Sequence, residues 1–192
     1  MKILQIVTFF FLFFLLSCGD TSYYPRPVGY IRIDLPEHSY QVFDTSFPYS
    51  FQYSKFAVIQ HDEITYQEPF WINLAYPQFK GKVHLSYKSL DSFDLHTLQE
   101  DSRRLVFQHA EKAVGITESE VYLPKSGGFG MVYFIEGKEA ASPFQFWITD
   151  SVHHFMRGAL YFNHLPNNDS LKPVIDFIVK DMDYLFETFN WK

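Results

Sequence analysis

The N-terminal stretch MKILQIVTFFFLFFLLSC, Met1 to Cys18, limits this chain more than any other. Lys2 supplies one positive charge, and Ile3 to Leu16 is a 14-residue apolar run broken only by Gln5 and Thr8. As a helix it would rise about 21 Å, short of a hydrocarbon core of about 30 Å. Such a segment can enter an export channel but cannot comfortably span a bilayer, which favours a signal peptide over an anchor helix. It ends in Leu15-Leu16-Ser17-Cys18, which reads as a bacterial lipobox. A large aliphatic stands at −3, a small residue at −1, and then the chain's single cysteine; Leu16 occupies −2, where a small residue is commonest. In that chemistry the Cys18 thiol receives a diacylglyceryl group and the peptide is cut before it. The new amine is then acylated, palmitate being the expected fatty acid. Two other readings compete: an ordinary signal peptide with an unrelated cysteine near its end, and a buried apolar helix of a cytosolic domain.

The resulting division is a signal peptide over 1–17, a tether over 18–28 and one domain over 29–192. Gly19, Pro25 and Pro27 deny the tether regular structure. Extended, it reaches about 35 Å, enough to hold the domain clear of lipid headgroups. A domain of this length buries a core without disulfides, and a lipidated Cys18 would leave it no thiol. The formal charge is −6 and no Lys/Arg run stands out, so the chain repels phosphate backbones and nucleic-acid binding is excluded. Aromatics make up 20% of the residues, with 22 Phe and 13 Tyr. They suit a packed aromatic core or an aromatic contact surface.

Hydrophobic periodicity predicts an α+β fold. Gly29 to Leu35 alternates Ile31, Ile33 and Leu35 against Arg32 and Asp34, as a half-buried strand or extended arm that Pro36 stops. Tyr49 to Tyr53 is a second short strand. Phe70 to Tyr76 and Lys82 to Tyr87 form a hairpin, the latter with Val83, Leu85 and Tyr87 on one face. Asp94 to Ala113 reads as a helix capped by Asp94 and stopped by Gly115. Its apolar stripe would hold Leu95, Leu98, Leu105, Val106, His109 and Ala113. Four strands follow: Glu120 to Leu123, Met131 to Ile135, Ala141 to Thr149 and His154 to Phe162. The last two are apolar on both faces and so belong at the sheet centre. Asp169 to Phe189 closes the chain as a long helix, capped by Asp169 or Ser170, whose apolar face is made to lie on a sheet.

Chemistry-bearing motifs are few. The Gly-rich loop Pro124 to Gly130 is followed by residues of strand preference, so it reads as a hairpin and not a phosphate cradle. His61-Asp62-Glu63 offers three metal-ligand types, but adjacent residues rarely converge on one ion, and a solvated loop is the simpler reading. Asp150, Ser151, His153 and His154 could be assembled into a hydrolytic set. Residues this close in sequence seldom reach relay geometry. Arg32 and Arg157 are candidates for a carboxylate ligand, or for pairing with an Asp across a sheet. No nucleophile elbow, zinc-protease helix motif or dinucleotide fingerprint is present. No catalytic, cofactor or metal residue is assigned; the one site residue is Cys18.

Several long segments carry a resemblance. They are GYIRIDLPEHSYQVFD (Gly29 to Asp44), FWINLAYPQFKGKVHLSYK (Phe70 to Lys88), EDSR (Glu100 to Arg103), ASPFQFWITDSVHHFMRGALYFNHLPNNDSLKPVIDF (Ala141 to Phe177) and ETFNWK (Glu187 to Lys192). On these the chain resembles the gliding motility lipoprotein GldD family, from the lipobox to the C-terminus. The resemblance implies a membrane-anchored lipoprotein of the gliding apparatus, which works with the type 9 secretion system that exports surface adhesins. It implies no enzymatic activity and no cofactor, partners among other gliding and secretion proteins of the envelope, and one transferable residue, the lipidated Cys18. Surface-exported lipoproteins of gliding bacteria tend to carry several acids after the cysteine. Only Asp20 follows closely here, so a periplasm-facing position is expected. The other functions carried forward are a periplasmic enzyme acting on envelope polymers and a small-ligand-binding protein. The element order suggests a mostly antiparallel sheet packed against the C-terminal and mid-chain helices, a sandwich similar in arrangement to Mog1/PsbP-like proteins.

Overall fold

Alternation along the strands builds the centre of the molecule. In β5 (Gly81–Ser89), Val83, Leu85 and Tyr87 are buried while their neighbours are half-exposed. They lie opposite Leu160, Gly158 and Met156 of β9 (His154–Phe162) in a nine-pair antiparallel register. β8 (Phe144–Thr149) pairs with the other edge of β9 and is buried along its whole length. The central position expected for these two strands is therefore observed. β4 (Ile72–Tyr76) hairpins onto β5 through a 3-10 turn at Pro77–Phe79. β7 (Gly128–Glu136) and β6 (Gly115–Leu123) extend the far side, and β3 (Val58–His61) forms the near edge. The seven-stranded order is β3-β4-β5-β9-β8-β7-β6, antiparallel throughout. β1 (Tyr40–Phe43), β2 (Tyr49–Ser54) and β10 (Asn190–Trp191) make a second sheet with β2 in the middle.

The computed structural model describes residues 33–61, 68–108, 112–163 and 167–192. The segments read as signal peptide and tether, with Cys18, and Arg32, Asp62, Glu63 and His109 lie outside the described residues. So does the first part of the Gly29 to Leu35 segment. Its remainder is extended chain and not strand, with Ile33 and Leu35 packed against the main core.

The C-terminal helix α2 (Asn168–Thr188) covers one face of the large sheet. Val174, Phe177, Ile178, Met182, Leu185 and Phe186 are buried there, each apolar side chain contributing about 1.5–3 kcal/mol. Phe186 meets Phe146 edge-to-face at 4.8 Å. Phe146 reaches that position because Gly158 lacks a side chain: a Cβ there would stand 2.1 Å from the ring. β2 packs Tyr49 and Phe51 against Phe189 at the end of α2. The mid-chain helix α1 (Leu95–Gln108) lies over the opposite face, where Val106 joins Tyr133, Ile135, Trp147 and Phe155 in a smaller core.

Several boundaries differ from the sequence reading. Asp94 does cap α1, its Oδ2 accepting the Thr97 N–H at 2.9 Å and the Thr97 hydroxyl at 3.0 Å. The stripe is narrower than its periodicity implies: Ser102 and Val106 are the buried positions, and Leu105 is exposed. Gly115 opens β6 and does not stop the helix, because Gly115 to Leu123 finds a full partner in β7. At α2 the capping position is Asn167, with no side-chain bond to the helix, and Asp169 sits inside the first turn. The Asn168 amide bonds instead to the carbonyls of Gly137 and Ala140, at 2.8 and 2.9 Å.

Candidate functional site

Polar side chains collect in three places, and the sheet register explains the first. On the face opposite α2, Gln60, Asn73, His84, Ala159 and Gln145 stand in one row across β3, β4, β5, β9 and β8. Lys82 and Tyr161 face each other in the pairing on one side, Ser86 and Arg157 on the other. α1 packs over β8 and β9, and the near end of the sheet carries a cleft of about 470 Å³. Gln60, Lys80, Lys82, His84, Tyr161 and Asn163 contribute its polar lining. Lys80 has a left-handed backbone, φ 51°, at the end of the 3-10 turn. Its carbonyl accepts the Asn163 N–H at 2.8 Å, which fixes this corner to the end of β9. Burial lowers the hold of Arg157 on its proton, and contact with the Tyr161 hydroxyl opposes this. Its guanidinium donates to Gln145 Oε1. Arg157 thus partners a glutamine and a tyrosine, not the aspartate the sequence suggested. Gln145 is 1% exposed, and its Nε2 has no hydrogen-bond acceptor among the described residues.

The second place is buried. Asp181 has no exposed surface although it sits on the apolar face of α2. Its Oδ1 lies 2.7 Å from His38 Nδ1, and its Oδ2 accepts the Tyr76 hydroxyl at 3.1 Å. The His38 ring stacks on Phe177 at 4.3 Å, and Tyr40 stacks on Tyr184 at 3.8 Å. Burial and then the Asp181 carboxylate push the Tyr40 phenol up to about 12, and the same causes raise Tyr76 further. This cluster was missed in the sequence, although one signal was there: Asp181 is four residues from both Phe177 and Leu185, on the apolar stripe.

The third place is the turn between β8 and β9, where a hydrolytic set was conceivable. Asp150 Oδ1 accepts the backbone N–H groups of Val152, His153 and His154 at 3.0, 2.9 and 2.8 Å. Burial alone would raise its pKa, but these bonds outweigh it and hold the carboxyl below its usual range. His154 turns away to the Tyr87 hydroxyl at 2.8 Å and stacks on Trp191 at 5.1 Å, while His153 faces Asp91 at 3.4 Å. Ser151, with φ 68°, donates its backbone N–H to Thr149 Oγ1 at 2.9 Å. The structure does not bring the four residues into a relay; Asp150 shapes the turn. His61 ends β3, away from any cluster of three His, Cys, Asp or Glu among the described residues that could hold a metal ion. No described helix is long and apolar enough to cross a membrane.

The family model for the gliding motility lipoprotein GldD matches residues 20–191, and the chain belongs to that family. No curated protein matches it. Among solved structures it is similar to the solution structure of cyanobacterial PsbP (CyanoP) from Synechocystis, with 10% identity and a TM-score of 0.45 over 92% of this chain and 98% of that one.

Proposed function

We propose that this GldD-family chain works as a non-catalytic, lipid-anchored part of the gliding machinery. Cys18 carries the acyl chains, residues 18–28 form the tether, and the domain faces the periplasm. There it docks with other gliding and type 9 secretion proteins and supports export of the surface adhesins. The observation that carries this reading is the family match, which begins at residue 20, two residues past the lipobox cysteine. The physics of anchoring agrees. One acyl chain of myristoyl length holds a protein only marginally, at about 0.8 kcal/mol per buried methylene, whereas two or three chains make release negligible. That suits a permanent machine part.

The test is Cys18→Ala, followed by metabolic labelling with a palmitate analogue, membrane fractionation and colony spreading on agar. Loss of label, release from the membrane and loss of spreading are the expected results. Retained membrane binding with normal spreading would end the proposal. Crosslinking of the wild-type protein in envelope fractions, followed by affinity purification, should recover gliding or secretion components.

A further inference from the structure

We propose that the cleft at the near end of β4, β5 and β9 binds a phosphate group, held by Lys80, Lys82 and His84 with donors from Gln60 and Asn163. The proposal rests on the cleft alone and stands whether or not Cys18 is acylated.

The first argument is the balance of donors and acceptors. Among the described residues the lining holds two ammonium groups, an imidazole, two carboxamides and the phenols of Tyr161 and Tyr76, the latter turned to Asp181, and no carboxylate. The chain as a whole is acidic, at −6. Among the described residues Lys80 and Lys82 join no ion pair, nor do Lys55, Lys125, Lys138 and Lys180, whereas Lys88, Lys112, Lys172 and Lys192 each face an acid. A concave wall lined by one sign of charge concentrates a counter-ion of the other. Just behind it, Arg157 touches Tyr161, and its described partners include no acid. Gln145 Nε2 is a buried donor without an acceptor beside Arg157. The donors that line the cleft therefore ask for an acceptor-rich anion.

The second argument selects the anion. The two lysines of the lining supply about two positive charges. A carboxylate returns one, while a phosphate monoester returns about 1.5 to 2 at neutral pH with three strong acceptor oxygens. Ammonium groups suit phosphate as point charges. The third argument is rigidity. Lys80 is held by its left-handed turn and by the Asn163 bond to its carbonyl, and Lys82 stands on a paired strand. A cleft of about 470 Å³ exceeds a bare phosphate and leaves room for the group that bears it. That group could be a lipid glycerol or a soluble metabolite, and the phosphate is common to both.

The experiment is calorimetry with phosphorus NMR on the mature lipoprotein in neutral detergent, using inorganic phosphate, glycerol 3-phosphate and water-soluble dihexanoyl phosphatidic acid. Saturable one-to-one binding in the millimolar range or tighter is expected. The double variant Lys80→Gln/Lys82→Gln should weaken it about 10-fold or more, while Lys125→Gln, on the β6–β7 turn, leaves it unchanged. Phosphatidic acid binding more tightly than glycerol 3-phosphate identifies a lipid headgroup as the occupant. The reverse order identifies a soluble phosphomonoester, and equal affinities show that the phosphate alone is read. Both lysines are solvent-facing, and melting curves check that each variant folds. The proposal fails if no probe binds saturably up to about 20 mM, or if the double variant binds like the wild type.

Discussion

His38 Nδ1 lies 2.7 Å from Asp181 Oδ1 across 143 residues of sequence, so the arm before β1 is clasped to a fully buried carboxylate in α2. An unpaired carboxylate at that depth would cost several kcal/mol. Here His38 and the Tyr76 hydroxyl offset the cost. The cluster therefore joins three elements remote in sequence: the arm, β4 and the C-terminal helix.

Removing either end of the clasp should destabilise the domain. His38→Ala leaves Asp181 short of a partner, and Asp181→Ala leaves the Tyr76 hydroxyl buried without its acceptor. Each should cost about 2–4 kcal/mol in urea unfolding. The double variant should lose clearly less than the sum, with a coupling of about 1 kcal/mol or more. Strict additivity would show that the contact carries no energy.

Two glycines should respond unequally to alanine. A Cβ at Gly130 would stand 2.0 Å from the Trp147 carbonyl oxygen, so the β7–β8 pairing must shift. A Cβ at Gly115 meets nothing closer than Glu136 Oε2 at 3.8 Å. Gly130→Ala should lower stability by about 3 kcal/mol, and Gly115→Ala should stay within about 0.5 kcal/mol of the wild type. Thermal melts of the two variants side by side decide this.

Asp150 should govern part of the acid stability. Its folded pKa is lowered, so its stabilisation is complete above the unfolded carboxyl value of about 3.9 and fades as pH falls through the folded value. Asp150→Ala should cost about 1–3 kcal/mol at neutral pH by freeing three backbone donors. Its difference from the wild type should shrink below about pH 4. Urea midpoints measured from pH 7 to pH 3 test this. A constant difference would show that the carboxylate form is not what stabilises the turn.

Tyr40 predicts an alkaline limit. Its folded pKa, about 12, lies above that of an unfolded tyrosine. Stability from this group is thus full below about pH 10 and lost as pH rises through the folded value. Tyr40→Phe should be less stable at neutral pH by about 1 kcal/mol and show a shallower decline above pH 10. Melting temperatures between pH 9 and pH 12 would reveal an unchanged slope if Tyr40 is not involved.

Much of the fold was legible in local pattern. The two-residue alternation of β5 and the two-faced apolarity of β8 and β9 appear directly as burial in the structure. The α2 stripe runs through residues that are indeed buried, apart from Leu171 and Ile175, which are half-exposed. Strand β3 left little trace, because an edge strand of four residues with Val58, Gln60 and His61 exposed has no hydrophobic period to display. β10 is two residues long and exists only because β2 offers it an edge. Gly115 looked like a helix stop because its preference is local, and the β7 partner that makes it a strand residue lies beyond a turn. The alternation of β5 puts Lys82 and His84 on the face opposite Val83 and Leu85, and that is all the sequence showed of the candidate cleft. Their meeting with Tyr161 depends on β9 pairing with β5 across more than 70 residues.

The sequence by itself determined the family, through the segments that resemble it, and the order of the two helices and the longer strands. The helices and strands follow from periods of two and 3.6 residues, which any short window contains. Tertiary structure alone decided which polar groups are buried and which partners they keep. Asp181 is one more acid on an acidic helix until His38 and Tyr76 arrive from distant parts of the chain. The free energy of a buried charge depends on its desolvated neighbours, and the chain has to fold before those neighbours exist.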